Sequence, residues 1–291
     1  MMHFGGIIAG IIAGLCYNKF KDMKLPDWLG FFGGRRFVPI VTGGSALVAG
    51  GLLGTVWPTF QRGLDSAATW MTSSQGIGEF LYGMLNRLLL PFGLHHVINT
   101  AVWFQFGKFT APDGKVFTGD LTRFFNGDAA NAGHFTAGFF PIMMFALPAA
   151  ALAMYVCAKK ENKAVVGGAL FSVALTAFLT GITEPIEFMF MFLAPVLFVI
   201  HAALTGVSLV VCSMFGIHDS FTFSAGLTDY LLNWNIATNG WMLIPIGLAF
   251  GAVYFFLFVF VIKKFNLKTP GREDDDETAN FSQLVDDQGF D

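Results

Sequence analysis

Charge is what this sequence has least of. Lys, Arg, Asp and Glu together make up 13% of its 291 residues, about half the roughly 25% of an ordinary soluble domain. Acids are scarcer still over most of the chain, because eight of the 20 stand between Glu273 and Asp291. A soluble globule of this size needs charged side chains to keep its surface wet, and a nucleic-acid binder needs a basic face. Neither fits. Disorder is excluded too, since 54% of the residues are apolar and a disordered chain is poor in them. Cysteine is almost missing: Cys16, Cys157 and Cys212 lie far apart in apolar runs with no C-x-x-C pair. That excludes a metal or redox framework and leaves buried packing thiols. The glycine pairs at 5–6, 33–34 and 167–168 precede no Lys-Ser/Thr, so they form no phosphate loop and suit close helix packing. With no nucleophile constellation and no metal-ligand spacing, no cofactor is expected.

What is present is apolar bulk in long runs, with 35 Phe and a mean hydropathy of +0.61. A hydrocarbon core of about 30 Å takes about 20 residues to cross as a helix. Seven stretches qualify as candidates: Phe4–Tyr17, Val38–Trp57, Phe80–Phe106, Phe139–Ala158, Ala164–Thr180, Ile186–Phe215 and Trp241–Ile262. The first is short and reads as the end of a helix, without the leader of a signal peptide. Cationic loops collect on the cytoplasmic side, so Lys19, Lys21, Lys24, Arg35 and Arg36 place 18–37 inside. Lys263, Lys264, Lys268 and Arg272 place the C-terminal exit inside as well. Seven simple crossings then put Lys159, Lys160 and Lys163 outside. At least one apolar piece is therefore expected to be a re-entrant hairpin, irregular backbone being tolerated at membrane depth where it lines a protein cavity. Thr59–Gln75 reads as an interfacial amphipathic helix or a plain loop. The polar, Gly-rich stretch 108–134, with its Pro112-Asp113-Gly114 turn, reads as a folded loop or gate. The division expected is 1–75, the scaffold helices with the interfacial helix; 76–265, the membrane domain; and 266–291, an acidic linker.

Ionisable residues within a span are costly, about 2.5–3.5 kcal/mol at a helix centre, which makes them candidates for function. Two groups stand out. In Thr180–Phe188, Glu184 and Glu187 interrupt about 50 apolar residues, and Gly181 and Pro185 bracket Thr183 and Glu184. Pro185 lacks a donor and pushes its predecessor towards extended geometry, so a helix should break there. The freed backbone and the Glu184 carboxylate suit a ligand rich in hydroxyls; the other reading is a solvated loop at the bilayer surface. In Asn86–Thr100, Arg87, His95, His96 and Asn99 share one apolar span with Pro91 and Gly93, which predict a kink. Arg87 and Pro91 share a helical face, as do His95 and Asn99, if the helix persists. Alone, an Arg snorkels and a His is a satisfied core residue; together they point to a polar site.

These motifs carry a family resemblance. Gly181–Phe188, Leu90–His96, Lys24-Leu25-Pro26 with Arg36–Ile40, and Leu267–Asp274 make the chain similar to the membrane IIC component of the phosphoenolpyruvate-dependent sugar phosphotransferase system, glucose/N-acetylglucosamine branch. Asn99–Gln105 and Phe139–Phe145 resemble the N-acetylglucosamine permeases more than the glucose ones. The resemblance implies an all-α polytopic membrane protein of the elevator type, with re-entrant hairpins, in the bacterial cytoplasmic (inner) membrane and with its C-terminus inside. It implies a sugar substrate, N-acetylglucosamine or glucose, that is phosphorylated by a cysteine-phosphate on a IIB partner fed through IIA and HPr. A homodimer and lipid contact are implied as well, and nucleic acid is not. By motif position Glu184 matches the carboxylate that holds the sugar's hydroxymethyl group, a candidate base; His95 matches the sugar-binding histidine and Arg87 its upstream arginine. His96, Asn99, Thr183 and Glu187 complete the expected substrate site. Two departures are expected to matter: the family's first membrane helices precede the point where this chain starts, and no IIB domain or Cys-x-x-Arg motif follows. An inactive or regulatory fragment of a permease is the alternative. The loop 126–133 also departs from the family's shorter pattern.

Overall fold

A computed structural model describes residues 2–26, 33–74 and 76–272; the acidic run from Glu273, expected as a linker, lies outside them. The chain divides into two units, Met1–Ser66 and Ala67–Asp291. In the first, α1 (Met2–Phe20) leads through a turn closed by Gly34 N–H donating to Met23 O (2.9 Å) into α2 (Phe37–Ser73). The Phe20 and Phe37 rings meet edge to face at 6.1 Å, and Cys16 Sγ lies 3.8 Å from Ser45 Oγ. The boundary between the units falls within α2, which carries Thr59 onward as its continuation past Pro58.

The second unit holds ten helices among its described residues, and two of the expected spans are corrected there. Phe80–Phe106 is not one helix. It divides into α3 (Ile77–Leu88) and α4 (His95–Phe104), separated by a 3-10 turn at Leu90–Phe92 and by Gly93 at φ 67°. At 12 and 10 residues neither piece is long enough to cross. Ile186–Phe215 divides likewise into α9 (Glu184–Met191) and α10 (Pro195–Met214), where Ala194 leaves helical geometry ahead of Pro195. Among the described residues, five helical stretches are long and apolar enough to span a membrane: Gly34–Thr59, His134–Cys157, Lys163–Thr180, Pro195–Met214 and Gly240–Lys264. The second of these joins α6 (His134–Ala137) through a π-helical turn, Pro141–Ala146, to α7 (Leu147–Cys157). Pro141 and Pro148 supply no backbone donor there, which loosens the helical ladder.

The stretch 108–134 folds, as its length requires. A hairpin of β1 (Lys108–Thr110) and β2 (Val116–Thr118), paired Phe109 to Phe117, is followed by α5 (Asp120–Phe125). An Arg123–Asp128 ion pair closes the loop beyond it.

Two contacts position everything else. α3 crosses α10 at Gly83 and Gly206, where a Cβ on Gly206 would stand 2.5 Å from Phe80 O. Only small residues permit helices to approach so closely, and the crossing brings the end of α3 over α9. At one end of the unit, the turn from α7 into α8 (Lys163–Thr180) is joined to the segment that follows α12 (Leu243–Lys264). Lys159 N–H and Asn162 Nδ2 donate to Gly271 O (3.0 and 3.3 Å), and Arg272 Nη1 donates to Cys157 O (3.0 Å). Lys159–Lys163 and Lys263–Arg272 therefore share one end. Seven simple crossings would set them on opposite sides; the broken α3–α4 and α9–α10 stretches are where the apolar pieces are not simple crossings. Around α7, α10 and α12 the core is aromatic, with Phe190 edge to face on Phe258 at 5.6 Å and Tyr254 stacked on Phe258 at 5.4 Å.

Candidate functional site

Both helix breaks open onto one cavity of about 260 Å³, room for roughly nine water molecules at about 30 Å³ each. Of the seven residues singled out from the sequence, six line it: Arg87, His95, His96, Asn99, Thr183 and Glu184. Glu187 does not. It stands one layer behind, fully buried, with Arg87 between it and the cavity.

The local folding of each piece explains the placement. Gly181, in the left-handed region at φ 74°, ends α8 and turns the chain back. Pro185 at the first turn of α9 needs no donor, so α9 starts at once and sets Glu184 at its N-terminus. The half-buried Glu184 carboxylate accepts the Thr183 N–H through Oε2 (3.1 Å). A negative charge is favourable beside these unsatisfied amides. One turn on and near the same face of α9, Glu187 lies deeper and is fully buried.

There it meets Arg87. Arg87 Nη1 donates to Glu187 Oε1 at 2.6 Å and to Thr183 Oγ1 at 3.2 Å. Arg87 Nε and Nη2 donate to Asn86 Oδ1 at 3.1 and 2.7 Å. Asn86 Nδ2 and the Tyr82 hydroxyl (2.8 Å) donate in turn to Asn99 Oδ1. The guanidinium also lies 5.3 Å over the Phe139 ring. Four hydrogen bonds thus engage all three of its nitrogens, in a planar arrangement that a lysine lacks. From the rear, His201 Nε2 stands 3.4 Å from Glu187 Oε1 while its Nδ1 meets the Tyr254 hydroxyl at 2.9 Å. The buried polar chain therefore runs from Tyr82 on α3 to Tyr254 on α12, and its members are fixed by one another.

Facing the cavity, the available chemistry is mixed. Glu184 accepts; His95 Nδ1 is buried with no partner among the described residues; His96 is exposed beside it, ring to ring at 4.0 Å. Asn99 offers its amide nitrogen once its oxygen is engaged. Aromatic faces complete the wall: Phe139, Trp103 and Phe221, the last two packed edge to face at 5.4 Å. Polar groups that fix orientation among apolar faces make the usual composition of a small-molecule pocket.

Sequence reasoning missed several of these residues. Phe221, Phe223 and Ser224 come from the segment after α10, about 40 residues from Gly181, and Ser224 Oγ donates to Gly181 O (2.8 Å). No local pattern announces them. His201 is different: it is an ionisable residue inside an apolar run, and the rule that found Arg87 and Glu187 applies to it equally.

The chain is similar to known proteins over most of its length. The family model described as "Phosphotransferase system, EIIC" matches residues 1–206. The chain is 54% identical over 275 residues to the "PTS system N-acetylglucosamine-specific EIICBA component" of Escherichia coli (strain K12), covering 94% of this chain and 42% of that one. It is 53% identical over 276 residues to the corresponding EIICB component of Bacillus subtilis (strain 168), covering 95% and 60%. To the EIIC component of Streptomyces coelicolor it is 50% identical over 279 residues, covering 96% and 67%. The chain thus spans from about two fifths to two thirds of the length of these curated relatives.

Proposed function

The chain belongs to the phosphotransferase system EIIC family, and from that premise we propose that it is the membrane permease component of a sugar phosphotransferase system. It binds N-acetylglucosamine in the cavity between the two helix breaks and presents it to a IIB partner for phosphorylation during uptake. The observation that carries this reading is the placement of Glu184, His95 and Asn99 on the wall of one cavity, on a frame locked by Arg87 and Glu187. The relatives' names supply the sugar; the residues supply a site for hydroxyls.

In this mechanism the Glu184 carboxylate accepts a hydrogen bond from the sugar's hydroxymethyl group. Such a charge-assisted bond is strong in a site screened from water. As the hydroxyl oxygen bonds to phosphorus, the sulfur–phosphorus bond of the partner's phosphocysteine breaks, the thiolate leaves, and the hydroxyl proton passes to Glu184. His95 Nδ1 and the Asn99 amide orient the ring. A sugar that leaves these buried groups unpaired is rejected for that reason. Arg87 is a positioning residue here, since its donors are taken by Glu187, Thr183 and Asn86. The cationic end shared by Lys159–Lys163 and Lys263–Arg272 faces the cytoplasm, the side that favours Lys and Arg, in the bacterial inner membrane. Residues 1–75 belong to the scaffold of a homodimer, 76–265 carry the sugar, and 266–291 form a linker.

Glu184→Gln tests the site. In a membrane preparation supplied with an intact IIB partner, the variant is expected to lose sugar affinity by about tenfold to a hundredfold, as for loss of a hydrogen bond to a charged group. Phosphorylation should fall further still. Wild-type binding and phosphorylation in that variant would remove Glu184 from the mechanism.

A further inference from the structure

Away from the sugar cavity, the outer surface between α7 and α8 carries a groove of about 360 Å³. Its floor and walls are mostly apolar, with Pro148, Leu152 and Tyr155 from α7 and Leu170, Phe171 and Ala174 from α8. Leu152 and Phe171 are 54% and 69% exposed, so the groove opens outward. Both helices are among those long and apolar enough to span a membrane, so a lipid-facing position is open to the groove. Along each helix the lining covers seven residue steps, about 10 Å at 1.5 Å per residue. A groove of that length takes about eight methylenes of an extended chain.

One end of it is charged. Tyr155 is its last α7 residue, and Lys163 Nζ stands 5.1 Å over the Tyr155 ring. Lys163 opens α8, with Lys159 and Lys160 in the turn just before and Glu161 the one acid among them. The segment after α12 is bonded onto this turn through Gly271 and Arg272, adding Lys263, Lys264 and Lys268 to the same end. Cys157, buried at the end of α7, lies within electrostatic reach of Lys263, Arg272 and Lys163 together. Cations concentrated where a membrane helix meets the headgroup layer attract anionic lipid, by about 1 kcal/mol each.

We propose that the α7–α8 groove holds an acyl chain of an anionic phospholipid, whose phosphate headgroup is bound by Lys163 and Lys160 at the groove's cationic end. The charge arrangement selects this occupant over a second copy of the chain. A dimer with its axis along the membrane normal would bring the same basic ends side by side, and like charges would oppose that contact. A phosphate-bearing lipid instead supplies the missing negative charge and an apolar tail in one molecule. The lysines select the lipid's headgroup, and the groove holds it long enough to be carried through purification.

The experiment uses the full chain in nanodiscs of equal parts phosphatidylglycerol and phosphatidylcholine, with retained lipid counted after transfer to detergent. The wild-type protein is expected to retain phosphatidylglycerol over phosphatidylcholine by at least about fivefold, the ratio that one lysine's attraction gives. Lys160→Gln with Lys163→Gln should lower that ratio by at least about fivefold while sugar binding stays unchanged. Ala174→Phe, which fills the groove, should lower the retained count of both lipids. Equal retention by the wild type, or a preference untouched by the double glutamine variant, would overturn the proposal. So would an Ala174→Phe protein whose lipid count is unaltered while its oligomeric state changes, because the groove would then belong to a second copy. Lys160 is exposed in the turn and Lys163 is half-buried at the first position of α8, so the test stands even if Ala174→Phe does not fold.

Discussion

The break between α3 and α4 and the break between α8 and α9 face the same cavity, yet they are held open by different means. At the first, Pro91 withholds a donor and Gly93 adopts φ 67°, and a Cβ on Gly93 would meet nothing within 4 Å. Phe92 beside it is 74% exposed. At the second, a Cβ on Gly181 would come to 2.7 Å from Ser224 Oγ and 2.8 Å from Ala225 N. The first break is written into its own residues, whereas the second is pressed into shape by a distant segment. What joins them is a pair of charges that neither break contains by itself. Arg87 lies just before the first and Glu187 just after the second, bonded at 2.6 Å with side chains 6% and 0% exposed.

That pair gives the largest expected effect. Taking away one partner strands the other as an uncompensated buried charge, which costs about 3–5 kcal/mol. Glu187→Leu should therefore lower the thermal midpoint of the purified protein severely, or prevent its accumulation in the membrane. Arg87→Met combined with Glu187→Leu should recover much of that loss, since replacing both partners of a buried pair by apolar groups is often close to neutral. A single variant as stable as the wild type would show that the two breaks are not coupled through this bond.

Next in size is the contrast between the two glycines. Gly93→Ala meets only the strain of a left-handed residue, about 1–2 kcal/mol. Gly181→Ala meets the same strain and also forces Ser224 and the backbone at Ala225 to move, adding about 1–3 kcal/mol as overpacking does. Chemical-denaturant or thermal midpoints of the two variants, measured side by side, should therefore place Gly181→Ala clearly lower. Equal midpoints would mean that the segment after α10 does not press on the second break.

This contrast also explains what could be read from the sequence. Pro91, Gly93, Gly181 and Pro185 announce both breaks locally, and Arg87, Glu184 and Glu187 stand out because charge is so rare around them. What was not legible depended on contacts between distant residues. The helical face shared by Glu184 and Glu187 gave no sign that one would line the cavity while the other lay behind it, because that depends on where α3 crosses. The crossing is fixed by Gly83 and Gly206, 123 positions apart in the numbering. Likewise nothing announced the second interruption of Ile186–Phe215, between Met191 and Pro195, where hydropathy stays high across backbone that is no longer helical. Phe221, Phe223 and Ser224 sit in a polar loop with no periodicity of its own.

The smallest effect per step of the measurement, at most about 1.4 kcal/mol per pH unit, tests that loop through pH. Between α10 and α11 (Leu227–Leu232), the segment that presses on Gly181 is built on two aspartates. Asp229 accepts Thr222 N–H (2.7 Å) and Ser224 N–H (3.3 Å), and Asp219 accepts Ser220 N–H (2.8 Å). Burial pushes the Asp219 carboxyl up to about 8, and the neighbouring Asp229 charge adds to the rise. An acid whose folded value is raised binds its proton more tightly in the folded state than in the unfolded one. Its contribution to stability is then full below the unfolded value of 3.8, declines as pH rises, and is lost once pH has passed about 8. The slope is at most about 1.4 kcal/mol per pH unit. The thermal midpoint of the wild-type protein should fall gradually from about pH 5 to pH 8 and level off above that, over the window set by Asp219. Asp219→Asn removes the titration, so its midpoint should change less with pH across the same window. If the loop is what holds the second break, sugar affinity in the wild type should weaken along with the midpoint, and the asparagine variant should lose that pH dependence as well. A variant that keeps the wild-type profile in both measurements would detach Asp219 from the loop's grip on Gly181, and leave the second break as self-contained as the first.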